Sequence, residues 1–162
     1  MSRSGKIGNS RKQQPKQANT NCTVRNFVMQ ASIANMFEIE SSKLAAGKSQ
    51  NPEVQEFAEC MITDHNKVFD ELGYTLQSSG SGVTPVDMLD YKHQELINQL
   101  KMASPGAGFD KRYIDTQTKS HAKTVKLFKE YVQNGQDAAL KTFAKKTLPI
   151  LERHHELIKA IH

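Results

Sequence analysis

Residues 148–158 read LPILERHHELI, and residues 61–67 read MITDHNK. Both stretches break an apolar run with histidine, and both keep apolar side chains at the three- and four-residue spacing of a buried helix face. With residues roughly 100° apart around the axis, His154 shares an arc with Leu140, Phe143, Leu151, Ile158 and Ile161. His155 falls on the margin of that arc and Glu152 points nearly opposite, so the E-x-x-H formed by Glu152 and His155 is expected to face away from the core. On the earlier helix, His65 lies among Val54, Ala58, Met61, Val68, Leu72 and Leu76. A third histidine, His121, is flanked in the same way by Ile114, Val125, Phe128 and Val132.

Working outward, helical signals dominate from residue 24 and alternating strand patterns are absent. The spacing predicts a helix from Val24 to Lys48. A second starts with Asn51-Pro52 as N-cap and first-turn proline and runs to about Leu76. Thr84-Pro85 with Asp87 opens a shorter helix through Met102, and ASPGAG ends it. A long helix follows from Phe109 to Gln133, with Asn134-Gly135 as a tight stop. The last helix begins near Gln136, and Pro149 is expected to kink it or end its first half. Four long helices, joined tightly in two pairs with a long connection between the pairs, define an all-α, ferritin-like four-helix bundle with an additional short helix in the crossover.

Charge divides the chain of 162 residues. Residues 1–26 hold Arg3, Lys6, Arg11, Lys12, Lys16 and Arg25 and no acid, leaving sixteen basic and seventeen acidic side chains, a net of −1, for the rest. The basic balance therefore belongs to a leader of polar composition, residues 1–25, which is expected to be disordered; residues 26–162 form the bundle domain. That domain has no basic stripe and no tryptophan, which argues against nucleic-acid binding by the fold. No stretch reaches the length of a membrane span. The leader lacks an apolar signal core, so the chain as it stands reads as cytoplasmic. Cys22 and Cys60 define neither a disulfide framework nor a C-x-x-C ligand pair.

Three inward histidines on separate helices, with a carboxylate on the fourth, make a candidate metal site. Glu38 supplies that carboxylate, sharing its face with Ala31, Ala34, Ser41, Ser42 and Ala45; Glu40, on the opposite face, is the fallback. Neutral imidazoles suit Zn, Fe, Mn, Cu or Ni, and a shell of Glu38, His65, His121 and His154 suits a mononuclear centre. The usual di-metal pattern is missing, because Ile62 and Thr118 stand three residues before His65 and His121. Asp64 is a candidate contact behind the ligands or a solvated edge, and Tyr113 and Gln117 bond an imidazole, line a pocket or simply pack. His93 reads as a structural contact of the short helix. One difficulty is axial: measured from the middle of the Asn134-Gly135 turn, His154 lies some six residues, roughly 9 Å, farther along its helix than His121.

NFVMQASIANMFEIE, VQEFAECMITDHNK, GFDKRYIDTQTKSHAKTV and TLPILERHHELI, in this order and with their joining helices, cover residues 26–161. In them the chain resembles the ferritin-like bacterial family catalogued as domain of unknown function 4142. The resemblance implies a four-helix bundle and places Glu38, Asp64, His65, His121 and His154 at the family's characteristic polar positions. It also brings a periplasmic or exported location into consideration. The leading expectation is a protein that binds a transition metal ion, Zn, Fe or Mn among the candidates, for metal handling or stress protection. The alternatives are a metal-free interaction module whose histidines organise the core and, third, a ferritin-like oxidase or peroxidase.

Overall fold

The computed structural model describes residues 22–162, and among them the secondary structure is entirely helical. The elements are α1 (Val24–Lys48), α2 (Pro52–Ser79), α3 (Tyr91–Met102), α4 (Ala107–Asn134) and α5 (Ala138–Ala160). Residues 1–21, most of the expected disordered leader, lie outside the described residues. Residues 22–25 belong to the fold: Cys22 is buried, and Val24 packs against the core.

Side-chain caps set the helix starts. Thr23, Asn51, Asp90 and Asp137 each accept a backbone N–H of the first turn, satisfying donors that the helix itself leaves unpaired. The short helix differs from the sequence expectation. It starts at Tyr91 rather than after Thr84-Pro85, because Asp90 Oδ1 takes both the backbone N–H of His93, at 2.8 Å, and its ring Nδ1, at 2.6 Å. At the other end of α3 the Lys48 ammonium caps the carbonyls of Leu100 and Lys101, a cation at the negative pole of the helix. Gly135 caps α4 with its N–H on Tyr131 O at 2.8 Å, and the position suits glycine because a Cβ there would lie 2.6 Å from the Tyr131 ring. His93 packs edge-on against Phe37, as expected of a structural contact.

Helix α5 runs unbroken through Pro149, so the proline does not end its first half. Proline cannot donate to the carbonyl four residues back; here that carbonyl belongs to Lys145, which like Pro149 is an exposed residue.

Around the bundle the helices neighbour one another in the order α1, α2, α5, α4, with α3 lying against α1 and α4. Two backbone bonds pin opposite ends. Gln136 N–H donates to Cys22 O, and Gly106 N–H donates to Lys48 O, so α4 starts where α1 ends and stops where α1 starts. The crossover, residues 80–106, thus carries the chain back along the bundle, and every neighbouring pair is antiparallel.

The core forms two apolar clusters. One, around Phe27, Leu72, Phe128, Tyr131 and Leu140, fills the end near the α4–α5 turn. The other, around Val54, Phe57, Met61, Phe109 and Ile158, fills the end near the α1–α2 turn. Between them each long helix inserts buried polar residues: Asn35, Glu38, Ser41 and Ser42 from α1, His65 from α2, Gln117 and His121 from α4, and His154 from α5.

Candidate metal centre

The three histidines converge. Ring centroids are 6.1 Å apart for His65 and His121, 5.3 Å for His65 and His154, and 5.8 Å for His121 and His154. All three side chains are buried, and one ligand atom from each lies within 4.8 Å of the others. The axial difficulty dissolves once residues 135–137 are recognised as a turn and not helix. His121 lies 13 residues before the end of α4 and His154 lies 16 after the start of α5. That leaves three residues, or roughly 4.5 Å at 1.5 Å per residue, a mismatch within reach of imidazole side chains.

Hydrogen bonds fix the tautomer of each ring. His121 Nδ1 is 2.9 Å from the backbone oxygen of Gln117, which can only accept, so Nδ1 carries the proton. His65 Nδ1 is 2.8 Å from Asn35 Oδ1, and the Asn35 amide is oriented by its own Nδ2–H donating to His65 O at 2.9 Å. His65 therefore also donates from Nδ1. His154 reverses the arrangement, with Nε2 2.9 Å from Asp64 Oδ2. Burial raises the Asp64 carboxyl, but hydrogen bonds from His154 and Cys60 outweigh it and hold the group below the usual carboxylate range. The carboxylate accepts, and Nε2 donates.

The remaining nitrogens, His65 Nε2, His121 Nε2 and His154 Nδ1, are buried without a hydrogen-bond partner. Each is the lone-pair nitrogen of its ring. Burial and the neighbouring rings of His154 and His121 hold His65 well below its ordinary pKa. Burial also holds His154 down, against the opposing effect of Asp64. For His65 and His154 burial thus favours the neutral, ligand-ready ring.

Glu38 is brought to this layer but stands outside the group of mutually close donor atoms. Its Oε1 accepts from Ser120 Oγ at 2.5 Å and lies 3.8 Å from His121 Nδ1, the protonated side of that ring. Oε2 has no partner. Burial pushes the Glu38 carboxyl up, opposed by His121, Ser120 and Gln117. Glu40 settles as the solvent-side residue, exposed and paired with Lys43. Asp64 makes the histidine contact considered for it. Gln117 serves through its backbone oxygen, while its side-chain amide donates to Ser41 Oγ at 2.8 Å. Tyr113 bonds Ser42 instead of an imidazole and is walled by Phe57 and Phe109. Glu152 pairs with Lys129 across the surface, away from the triad.

Two contributors escaped the sequence reading. Asn35 orients His65; the available signal was an amide three residues before Glu38, on the side of the helix that also carries Ala31, Ser42 and Ala45. Cys60 donates to Asp64 Oδ2 at 3.5 Å, one turn earlier on α2. Its i, i+4 relation to Asp64 was visible, but a search for C-x-x-C pairs passes over it.

Architecture and site together define a helical bundle with an internal histidine triad. The family description "Domain of unknown function (DUF4142)" matches residues 9–161, and the chain belongs to that family. Among solved structures, CopM in the Cu(II)-bound form is similar in fold: the TM-score is 0.69 over 85% of this chain and 93% of that one, at 17% identity. No curated protein matches the chain. Among the described residues no helix is long and apolar enough to cross a membrane.

Proposed function

We propose that the polar layer is a transition-metal centre, with His65, His121 and His154 as ligands, in a protein that handles metal ions. The observation that carries this reading is the set of three unpartnered, buried lone pairs from three helices. Each ring is held from behind by its own acceptor: Asn35, the Gln117 carbonyl or Asp64. Metal-bound histidines characteristically donate their second ring nitrogen in this way. Buried polar atoms without partners are otherwise costly, at about 1–3 kcal/mol each. Glu38, proposed from sequence as a fourth ligand, acts here as a nearby negative charge that offsets that of the ion and steadies His121.

An all-imidazole inner set favours copper and zinc over manganese, by ligand type and by the usual order of divalent affinities. The fold likeness to CopM in its Cu(II)-bound form brings copper forward as the first ion to test, ahead of Zn, Fe and Mn. Ligand nitrogens around a tetrahedral ion stand roughly 3.4 Å apart, so small ring rotations suffice to close the present arrangement. The test is metal analysis and Cu(II), Zn(II) and Fe(II) titration of tag-free protein. In a Cys60→Ser background, one equivalent bound by the chain with its triad intact and none after His65→Ala/His121→Ala is expected; equal uptake by both sinks the reading.

The metal-free alternative has one observation in its favour. A cavity of about 10 Å³, lined in part by Asn35, Glu38, His65 and His121, adjoins the triad. That is about room for a single water, which offers the free nitrogens a partner. Under that alternative, chelator treatment of the purified protein leaves its melting temperature unchanged.

A further inference from the structure

His154 belongs to two clusters at once. Its ring is one of the buried triad, while its Nε2 meets Asp64, and Cys60, Asp64 and His154 also offer ligand atoms that all lie within 4.8 Å of one another. Unlike the triad, this outer group reaches the surface: Cys60 is half-buried, and the Asp64 side chain is 25% exposed. Cys60 and Asp64 stand one turn apart on α2, and His154 faces them from α5. Burial and the Asp64 carboxylate push the Cys60 thiol up, and Arg153, 3.8 Å from the sulfur, opposes them.

We propose that Cys60, Asp64 and His154 form a second, outer metal site for a thiophilic ion such as Cu(I) or Zn(II), sharing one imidazole with the inner triad. The donor set differs in kind from the inner one, since a thiolate and a carboxylate replace two imidazoles, and soft sulfur selects Cu(I) and Zn. Binding there releases the Cys60 thiol proton to solvent. It also requires the Nε2 lone pair of His154, so the ring proton moves from Nε2 to Nδ1. A neutral imidazole has one lone pair, so the ring serves one site at a time. Occupying the outer site withdraws His154 from the triad, and returning the proton to Nε2 releases it inward again. Such an arrangement loads an inner centre from the surface without opening the bundle. The loading role rests on the inner centre proposed above; the outer site itself does not.

Cobalt(II) titration of the full chain separates the two. A His65→Gln/His121→Gln variant, which keeps the outer group, is expected to bind one Co(II) with a thiolate-to-cobalt charge-transfer band in the near ultraviolet. Adding Cys60→Ser should abolish that band. Should the double variant lose its helical circular dichroism, the single His121→Gln variant carries the same test. No band in the variant overturns the outer site and leaves the inner reading standing. A band that survives Cys60→Ser overturns it too, by assigning the thiolate to Cys22. Wild-type protein is expected to take up one tight equivalent; two would overturn the sharing of His154. If the triad binds nothing but the band appears and depends on Cys60, the outer site stands alone.

Discussion

The two apolar ends of the bundle and the polar layer between them use the same helices for opposite purposes. At the end near the α4–α5 turn, Phe27 stacks on Tyr131 with centroids 3.9 Å apart and meets Phe128 edge-on at 5.1 Å, and the Tyr131 hydroxyl finds its partner in the Asp137 N–H. Two to three turns farther along α1, Asn35 and Glu38 enter an equally buried space and bring hydrogen-bonding obligations with them. Apolar contact there is replaced by directed bonds, and several acceptors remain unfilled. The ends hold the helices together; the middle holds lone pairs in place. Stability and function are thus expected to respond to different residues.

The sharpest contrast comes from truncation. Phe27→Ala empties a fully buried position in an aromatic cluster and should cost about 3–5 kcal/mol, read by urea or thermal unfolding. His121→Leu in the metal-free protein should cost far less, because it removes an unsatisfied nitrogen as well as a bond to the Gln117 carbonyl. A loss as large as that of Phe27→Ala would show that the layer is a packing element after all. Next in size is the response to metal. At a free ion concentration a hundred times the dissociation constant, the wild-type chain should gain about 2.7 kcal/mol. His121→Leu combined with Cys60→Ser should gain none, by the same unfolding measurement.

A smaller effect tests the support behind the ligands. Asn35→Ala removes the acceptor that fixes His65 and is expected to weaken metal affinity by about 10–100-fold, measured by competition with a chelating dye. Unchanged affinity would mean that His65 needs no orienting partner, and would weaken the distinction between directed and merely buried contacts.

How much of this was legible in the sequence follows from which geometric quantity each feature depends on. The directions of His65, His121 and His154 depend only on angle around a helix axis, which apolar neighbours report, so the inward rings could be read directly. Whether they meet depends on axial stagger. Counting from the middle of Asn134-Gly135 overstated that stagger, because it treated the turn before α5 as helix. Glu38 was legible as inward, but its place behind His121 depends on how α1 and α4 are set against each other, which no pattern within one helix encodes. Cys60 needed the position of α5, since its partnership with Asp64 becomes a three-donor group only when His154 arrives. Pro149 was legible as an anomaly, yet its consequence depended on Lys145 facing solvent.

The smallest expected effect concerns acid. In the metal-free protein the folded pKa of His65 lies well below its ordinary value, and that of His154 lies below it too, so below about pH 6.5 the unfolded chain binds protons that the folded chain refuses. Stability should therefore fall as pH drops from there toward the folded pKa values. Glu38 acts with the opposite sign. Its folded pKa is raised, so above the ordinary carboxyl range the folded chain keeps a proton that the unfolded chain gives up, and stability falls as pH rises through that interval. Across roughly pH 4.5–6.5 the two slopes oppose each other, two histidines against one carboxyl, and the histidines should prevail. Glu38→Gln removes the opposing slope. The variant should lose stability more steeply on acidification than the wild type does, in chemical denaturation series run at half-unit pH steps. Parallel pH profiles would show that Glu38 titrates as an ordinary carboxyl, and the layer would then be better hydrated than its burial implies.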